Sequence, residues 1–499
     1  MSEKLKIKIN IIFVLVVLFN FNAVNFLKAE DNNFLTKDTL PLTLMQCIEL
    51  TLTNNPEIIV SKINVAIQEQ QIIKRDAEFM PSFQLGVYNS ENNQVSITEV
   101  QSKSESAYST AKLNTKIKTG ADIALSHTLK KNEASSAAVN PSYSNDLSFS
   151  FNQPLLKNFG VKSTTAFLKI EKNNKLISRE NLRKKVIDIL SELQKNYWDL
   201  IYAIETYNVQ RQSLEISEKL YRDNIKRVEL GALAQIEITR AAAGAAEQTE
   251  KIIASENNIY SQRDLLLSKM NLINNSTYKN KLIIPLNLPE PLLEIPNIDK
   301  SLELAFSKNP EFLALQTDFE NLGLRVEYYK NQKLPSLDLQ SSAGFSNIKD
   351  EISKGYDNLA KSENFSWNIG LVFAVPLGNK TNKANLQIEQ YNLEKMKLSL
   401  KQLENKIVTD VGIRIRNIQS TIKQIKAAEY SVKLAEENYN AELKRFELNQ
   451  STTYDVLKYQ EALASAKIRL LKAIIDNRKA WIDYEGITGV LLENNNLIF

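Results

Sequence analysis

Histidine and cysteine, the side chains that most often ligate metals or act as nucleophiles near neutral pH, occur once each in 499 residues, as His127 and Cys47. A single copy of each excludes a Cys/His metal cluster and a disulfide framework within one chain. Acid/base chemistry would fall to the 58 Asp and Glu residues, but these are interspersed with 62 Lys and Arg along helical stretches, the pattern of solvated faces. Glycine contributes only 13 residues, and none fits a G-x-x-x-x-G-K or G-x-G-x-x-G loop, so a phosphate-cradling nucleotide site is not expected. His127 reads as a packed or solvated side chain, Cys47 as a small buried hydrophobe, and Tyr197 and Trp198 as helix packing. No catalytic residue, metal or cofactor is expected.

The elements carrying these residues show in the prolines, absent from Leu155 to Ile284 and from Leu377 to Phe499. Such stretches predict very long helices. Residues 1–29, with Lys4, Lys6 and Lys8 ahead of the apolar run Ile11 to Phe19, read as a secretory signal peptide. Beyond them the charge balance is 58 basic to 57 acidic residues, with no electrostatic footprint for nucleic acid. No later run is apolar enough for a membrane-spanning helix.

The chain is a duplication. Asn55-Pro56-Glu57 recurs as Asn309-Pro310-Glu311 and Pro81-Ser82 as Pro335-Ser336, both at an offset of 254. Lys226-Arg227-Val228-Glu229-Leu230 recurs as Lys444-Arg445-Phe446-Glu447-Leu448 at an offset of 218. The first repeat is placed at 30–284, a proline-rich linker at 285–297 and the second repeat at 298–499. Each repeat opens with a helix, passes into strands at about 83–153 or 337–375, and continues as a long helix and a shorter returning one.

In the strands the period drops to two. Phe83 and Leu85, Leu147, Phe149 and Phe151, and Trp367, Ile369, Leu371 and Phe373 form apolar stripes opposite small or polar residues. Two strands per repeat, behind a signal peptide, suggest lipid-facing barrel strands. An excess of about 32 residues in the first repeat carries a further alternation around Thr119-Gly120, read as an extra hairpin near 108–130 that extends the outer end of the strands. From Leu393 to Phe446, apolar residues recur at threes and fours as a coiled-coil seam that needs helical partners. Lys380 to Leu448 would span about 100 Å at 1.5 Å per residue. Four strands cannot close a barrel alone, whereas a trimer supplies twelve.

With these motifs in order and duplicated, the mature chain resembles the TolC-type outer membrane efflux proteins. The resemblance rests on the Asn-Pro-Glu helix starts, the Pro-Ser strand starts, Gln153-Pro154-Leu155-Leu156, and the Arg-x-x-x-Gly turn of Arg227 and Gly231 with its repeat at Arg445. It implies a mainly α fold with a small β part. Long antiparallel coiled-coil helices would form a periplasmic tunnel, and four strands per chain would enter a homotrimeric 12-stranded barrel in outer-membrane lipid. It also implies an exit duct for efflux or type I secretion, working with a periplasmic adaptor and an inner-membrane RND or ABC transporter. The pore constriction would be formed by Glu237 and Asp455, six residues after Gly231 and Asn449. A ring of such carboxylates would prefer cations, and a negative residue also suits a helix N-terminus.

The turns depart from the family pattern. Asn449 stands in the place of the second turn glycine, Lys458 where some relatives have a second acid, and Phe446 and Ser451 where relatives close the tip with tyrosine and arginine. The alternative reading is a soluble periplasmic coiled-coil adaptor or scaffold, which would bury its strands against its own domains.

Overall fold

The computed structural model describes residues 38–95, 101–134, 140–357, 359 and 362–497. The signal-peptide reading at 1–29 lies outside them. The chain is mainly helical and divides into two compact units, residues 1–56, 189–295 and 416–483, and residues 57–188, 296–415 and 484–499.

The first unit begins with a parallel pair, β1 (Thr39–Leu42) with β6 (Leu282–Pro285). These strands are four residues each, too short to leave a period in the sequence. Thr43 then caps α1 (Leu44–Asn54) in a capping box, its hydroxyl accepting from Gln46 N while Gln46 Oε1 accepts from Thr43 N. Buried Tyr197 ties this corner together, its hydroxyl donating to Leu42 O and to Asn287 Oδ1 at 2.8 Å. Burial pushes its phenol up to about 12. Residues 286–297 are anchored rather than slack: Leu292 N donates to buried Asn477, and Asn287 accepts from Leu44 N.

The Asn-Pro-Glu motif makes a helix junction. Asn55 ends α1 and Pro56 opens α2 (Pro56–Asp76); Asn309 ends α5 (Ile298–Lys308) and Pro310 opens α6 (Pro310–Gln332). Proline suits a first helical position because its missing N–H would have no partner there. Each asparagine is buried, and each amide donates to a returning helix: Asn55 to Lys269 O of α4 (Ile236–Lys269), Asn309 to Ile487 O of α9 (Thr453–Thr488), both at 2.9 Å. The duplicated motif thus docks the start of each repeat against its end.

The long helices are α3 (Ala166–Glu229, 64 residues) and α8 (Lys380–Glu447, 68 residues), and each runs through both units. The middle of the seam is buried, with Ile407, Val411, Ile415, Ile418, Ile422 and Ile425 all nearly inaccessible, while Leu393, Met396, Leu400 and Leu403 before it and Ala428, Val432 and Ala435 after it are half-buried.

The second unit holds an antiparallel sheet of β2 (Ser82–Val95), β3 (Gln101–Lys116), β4 (Asp122–Ala134), β5 (Ser142–Pro154), β7 (Ser336–Lys349) and β8 (Phe365–Ala374), in that order. A helical turn, α7 (Ile352–Asp357), lies against β5 and β7. The sheet corrects the expectation of four strands per chain: among the described residues it has six. The extra hairpin does not extend the outer end but inserts β3 and β4 as full strands between β2 and β5. Its turn lies at the end where strands meet helices. Lys118 pairs there with Asp76 of α2 at 3.2 Å, Thr115 Oγ1 donates to Phe79 O, and Gly160 N donates to Thr119 O. Gly120 is required in this turn, with φ of 99° and Asn158 O only 2.5 Å from where a Cβ would stand.

The register aligns the apolar stripes. One row runs Phe83, Leu113, Leu125, Phe149, Ala343, Trp367 across all six strands. Leu85, Leu147, Phe151, Ile369, Leu371 and Phe373 lie on the same face. The opposite face presents the row Gln84, Lys112, Ser126, Ser148, Gly344, Ser366. The apolar face is exposed, with Phe83 at 68% and Trp367 at 69%, and Gln84, Lys112 and Ser366 of the polar row are exposed as well. His127, also on this face, contacts Asn145 Oδ1 at 2.7 Å.

Candidate functional site at the helical turns

The candidate site lies in the first unit, where α3 turns into α4 and α8 into α9. Both turns have the same hydrogen bonds. Gly231 N donates to Val228 O and Ala232 N to Arg227 O; Asn449 N donates to Phe446 O and Gln450 N to Arg445 O. This is the Schellman pattern, which satisfies the last helical carbonyls and needs one left-handed residue. Gly231 has φ of 73° and Asn449 of 57°. The arginines of the Arg-x-x-x-Gly motif occupy the last helical turn, where positive charge complements the helix dipole.

The side chains then diverge. Arg227 crosses to the other turn, its guanidinium 5.0 Å from the centre of the Phe446 ring and Nη1 donating to Phe446 O at 3.2 Å. Phe446 belongs to a buried cluster with Leu220, Tyr439 and Val456. Arg445 stays within its own turn, pairing with Glu442 at 3.0 Å and reaching Gln450 O. Ser451 donates to the same Glu442, a buried carboxylate.

The two predicted pore carboxylates are engaged within the chain. Glu237 is only 9% exposed; one oxygen accepts from Arg240 Nη1 at 2.6 Å and the other from Thr453 N at 3.2 Å, so it caps the start of α9. Asp455, half-buried, accepts from the Thr452 hydroxyl at 2.7 Å while its own N–H donates back to Thr452 Oγ1. Buried Asn224 joins the turns by donating to Thr453 Oγ1 and to Glu237 O. Lys458 is exposed, one turn into α9.

Arg240, Thr453, Asn224 and Glu442 were not singled out from the sequence. Glu237-x-x-Arg240 and Glu442-x-x-Arg445 carry the spacing of helix ion pairs, but that spacing is common on solvated faces. Asn224 and Glu442 occupy equivalent places in the two repeats, offset by 218, so self-comparison could have found them. Among the described residues there is no cluster of three or more Asp, Glu, His or Cys able to hold a metal.

The sequence profile of the outer membrane efflux proteins matches residues 47–268 and 302–489, covering both turns and both repeats. The chain belongs to the outer membrane efflux protein family. It is an outer-membrane protein by that membership, and the family consists of channels. The alkaline protease secretion protein AprF of Pseudomonas aeruginosa is 28% identical over 193 residues, spanning 38% of this chain and 39% of that relative. The fold matches the outer membrane channel CmeC of Campylobacter jejuni, with a TM-score of 0.62 at 17% identity over 90% of this chain and 86% of CmeC. It also matches VceC of Vibrio cholerae, with a TM-score of 0.61 at 15% identity over 89% of this chain and 96% of VceC.

Proposed function

We propose that this protein is a homotrimeric channel-tunnel, the outer-membrane exit duct of a tripartite efflux or type I secretion system, gated at its helical turns and without enzymatic activity. The observation that carries this reading is the family match over both repeats, joined to a sheet with one apolar, exposed face and one mostly polar face. That arrangement suits strands between lipid and a water-filled lumen. A periplasmic adaptor and an inner-membrane RND or ABC transporter are the partners. The similarity to AprF, a protease secretion protein, favours a secreted protein as one form of the cargo.

The constriction is assigned to Glu237 and Asp455. Arg240 offsets the charge of Glu237 and Asp455 has no comparable cation in its described contacts, so Asp455 is the stronger determinant of selectivity. Single-channel currents in a planar bilayer under asymmetric salt test this. Stable, cation-preferring steps are expected, with the preference weakened more by Asp455→Ala than by Glu237→Ala. Unchanged selectivity in both variants would remove these carboxylates from the pore, and failure to insert would remove the channel reading itself.

A further inference from the structure

Among the described residues the six-stranded sheet has no strand paired to its two edges, β2 and β8. Unpaired edges are templates for further pairing, and barrels remove them by closure. Six strands are too few to close, because the smallest membrane barrels have eight. We propose that β8 of each copy pairs with β2 of the next, and that three copies close a barrel of eighteen strands, not twelve. This rests on the trimer of the preceding reading.

Three features of the sheet carry it. First, β3 and β4 are bonded along their whole lengths to their neighbours, Ser104 to Lys116 of β3 facing Asp122 to Ala134 of β4, so they cannot be removed from the wall without breaking it. Second, the apolar and polar rows continue through β3 and β4: Leu113 and Leu125 extend one face, Lys112 and Ser126 the other. A hairpin projecting into water beyond the barrel has no need of that match. Third, the sheet is sheared. The row that starts at Phe83, second in β2, reaches β8 at Trp367, with seven residues of β8 still to run toward the helix end. Such drift gives the strand tilt that barrels require. The occupant of each free edge is therefore a second copy of this chain, bringing the complementary edge of the same sheared sheet. Because barrel diameter grows roughly linearly with strand number, the outer opening is about 1.5-fold wider than in a twelve-stranded barrel.

The test uses the full chain in lipid nanodiscs with Cys47→Ala as background. Native mass spectrometry counts the copies, and three are expected. Leu85→Cys, combined in turn with Ile369→Cys, Leu371→Cys and Phe373→Cys, is expected to yield covalent dimers and trimers on oxidation for at least one pair. Phe83→Cys with Phe149→Cys is expected to yield no intrachain bond, because three strand spacings place them roughly 14 Å apart, beyond the ~7 Å Cα limit for a disulfide. A bond between 83 and 149 with three copies present would place the hairpin outside the wall, overturning eighteen strands while the trimer stands. A mass other than three copies would overturn the count together with the trimer. Absence of every interchain bond would overturn the edge pairing. Single nitroxide labels check the wall without paired cysteines. Positions 113 and 125 should be quenched by lipid-dissolved oxygen and 112 and 126 by a water-soluble nickel chelate; water exposure at all four sites would also overturn the proposal.

Discussion

At the residue scale the structure assigns buried polar groups to joining helices. Cys47 is fully buried and desolvation pushes its thiol up to about 12, so it holds its proton at neutral pH. Maleimide is expected to leave it unmodified in the native protein and to label it after unfolding; rapid native labelling would contradict the burial. Glu237 accepts from the buried N–H of Thr453, so Glu237→Ala leaves that donor without its partner. A loss of about 1–3 kcal/mol is expected, read as an earlier unfolding midpoint, whereas Asp455→Ala removes only a more exposed capping contact. The acid six residues past each turn was legible from the sequence. Its partners Arg240 and Thr453 were not, because a carboxylate on a charged helix looks the same whether it faces water or caps a neighbouring helix.

At the element scale the two repeats exchange glycine and asparagine at corresponding left-handed positions. Gly231 corresponds to Asn449 and Asn271 to Gly489, each pair offset by 218 and each residue with positive φ. Asn449→Gly is expected to leave the unfolding midpoint within error or raise it, while Asn449→Ala costs roughly 1–2 kcal/mol for the left-handed backbone. Gly231→Ala should cost about the same, since nothing lies within 4 Å of the added methyl, but Gly489→Ala should cost more because Lys308 O stands 2.4 Å away. A chemical-denaturation series on the four variants reads the order directly. Helix extents were legible because proline gaps and three-four periodicity bracket them. The course of β3 was not: Gln101 to Ser109 is mostly polar, with four Ser beside Lys103 and Glu105, and carries no apolar alternation, so only its inner half showed as strand. Alternation also reports a face and not an end, which is why the hairpin turn was placed at the wrong end of the sheet.

At the scale of the whole molecule the sheet departs from the arrangement of a soluble protein by leaving its apolar side exposed. Among the described residues no helix is long and apolar enough to cross a membrane. In the channel proposed above, the apolar face of these strands is the one in contact with lipid. Adjacent positions on opposite faces should then differ sharply: Leu125→Arg is expected to cost about 2–4 kcal/mol near the bilayer midplane and Ser126→Arg little, measured by urea unfolding in vesicles. Equal costs would refute the assignment of faces. The sheet also begins and finishes on one side, since β2 leaves α2 through the turn Ala77–Phe79 and β8 leads back into α8. A chain held to that condition can acquire antiparallel strands only two at a time. In the proposed barrel the girth of the wall is therefore a quantised trait: descent can change it by whole hairpins, while the gain or loss of one strand would leave the long helix starting at the opposite end of the sheet.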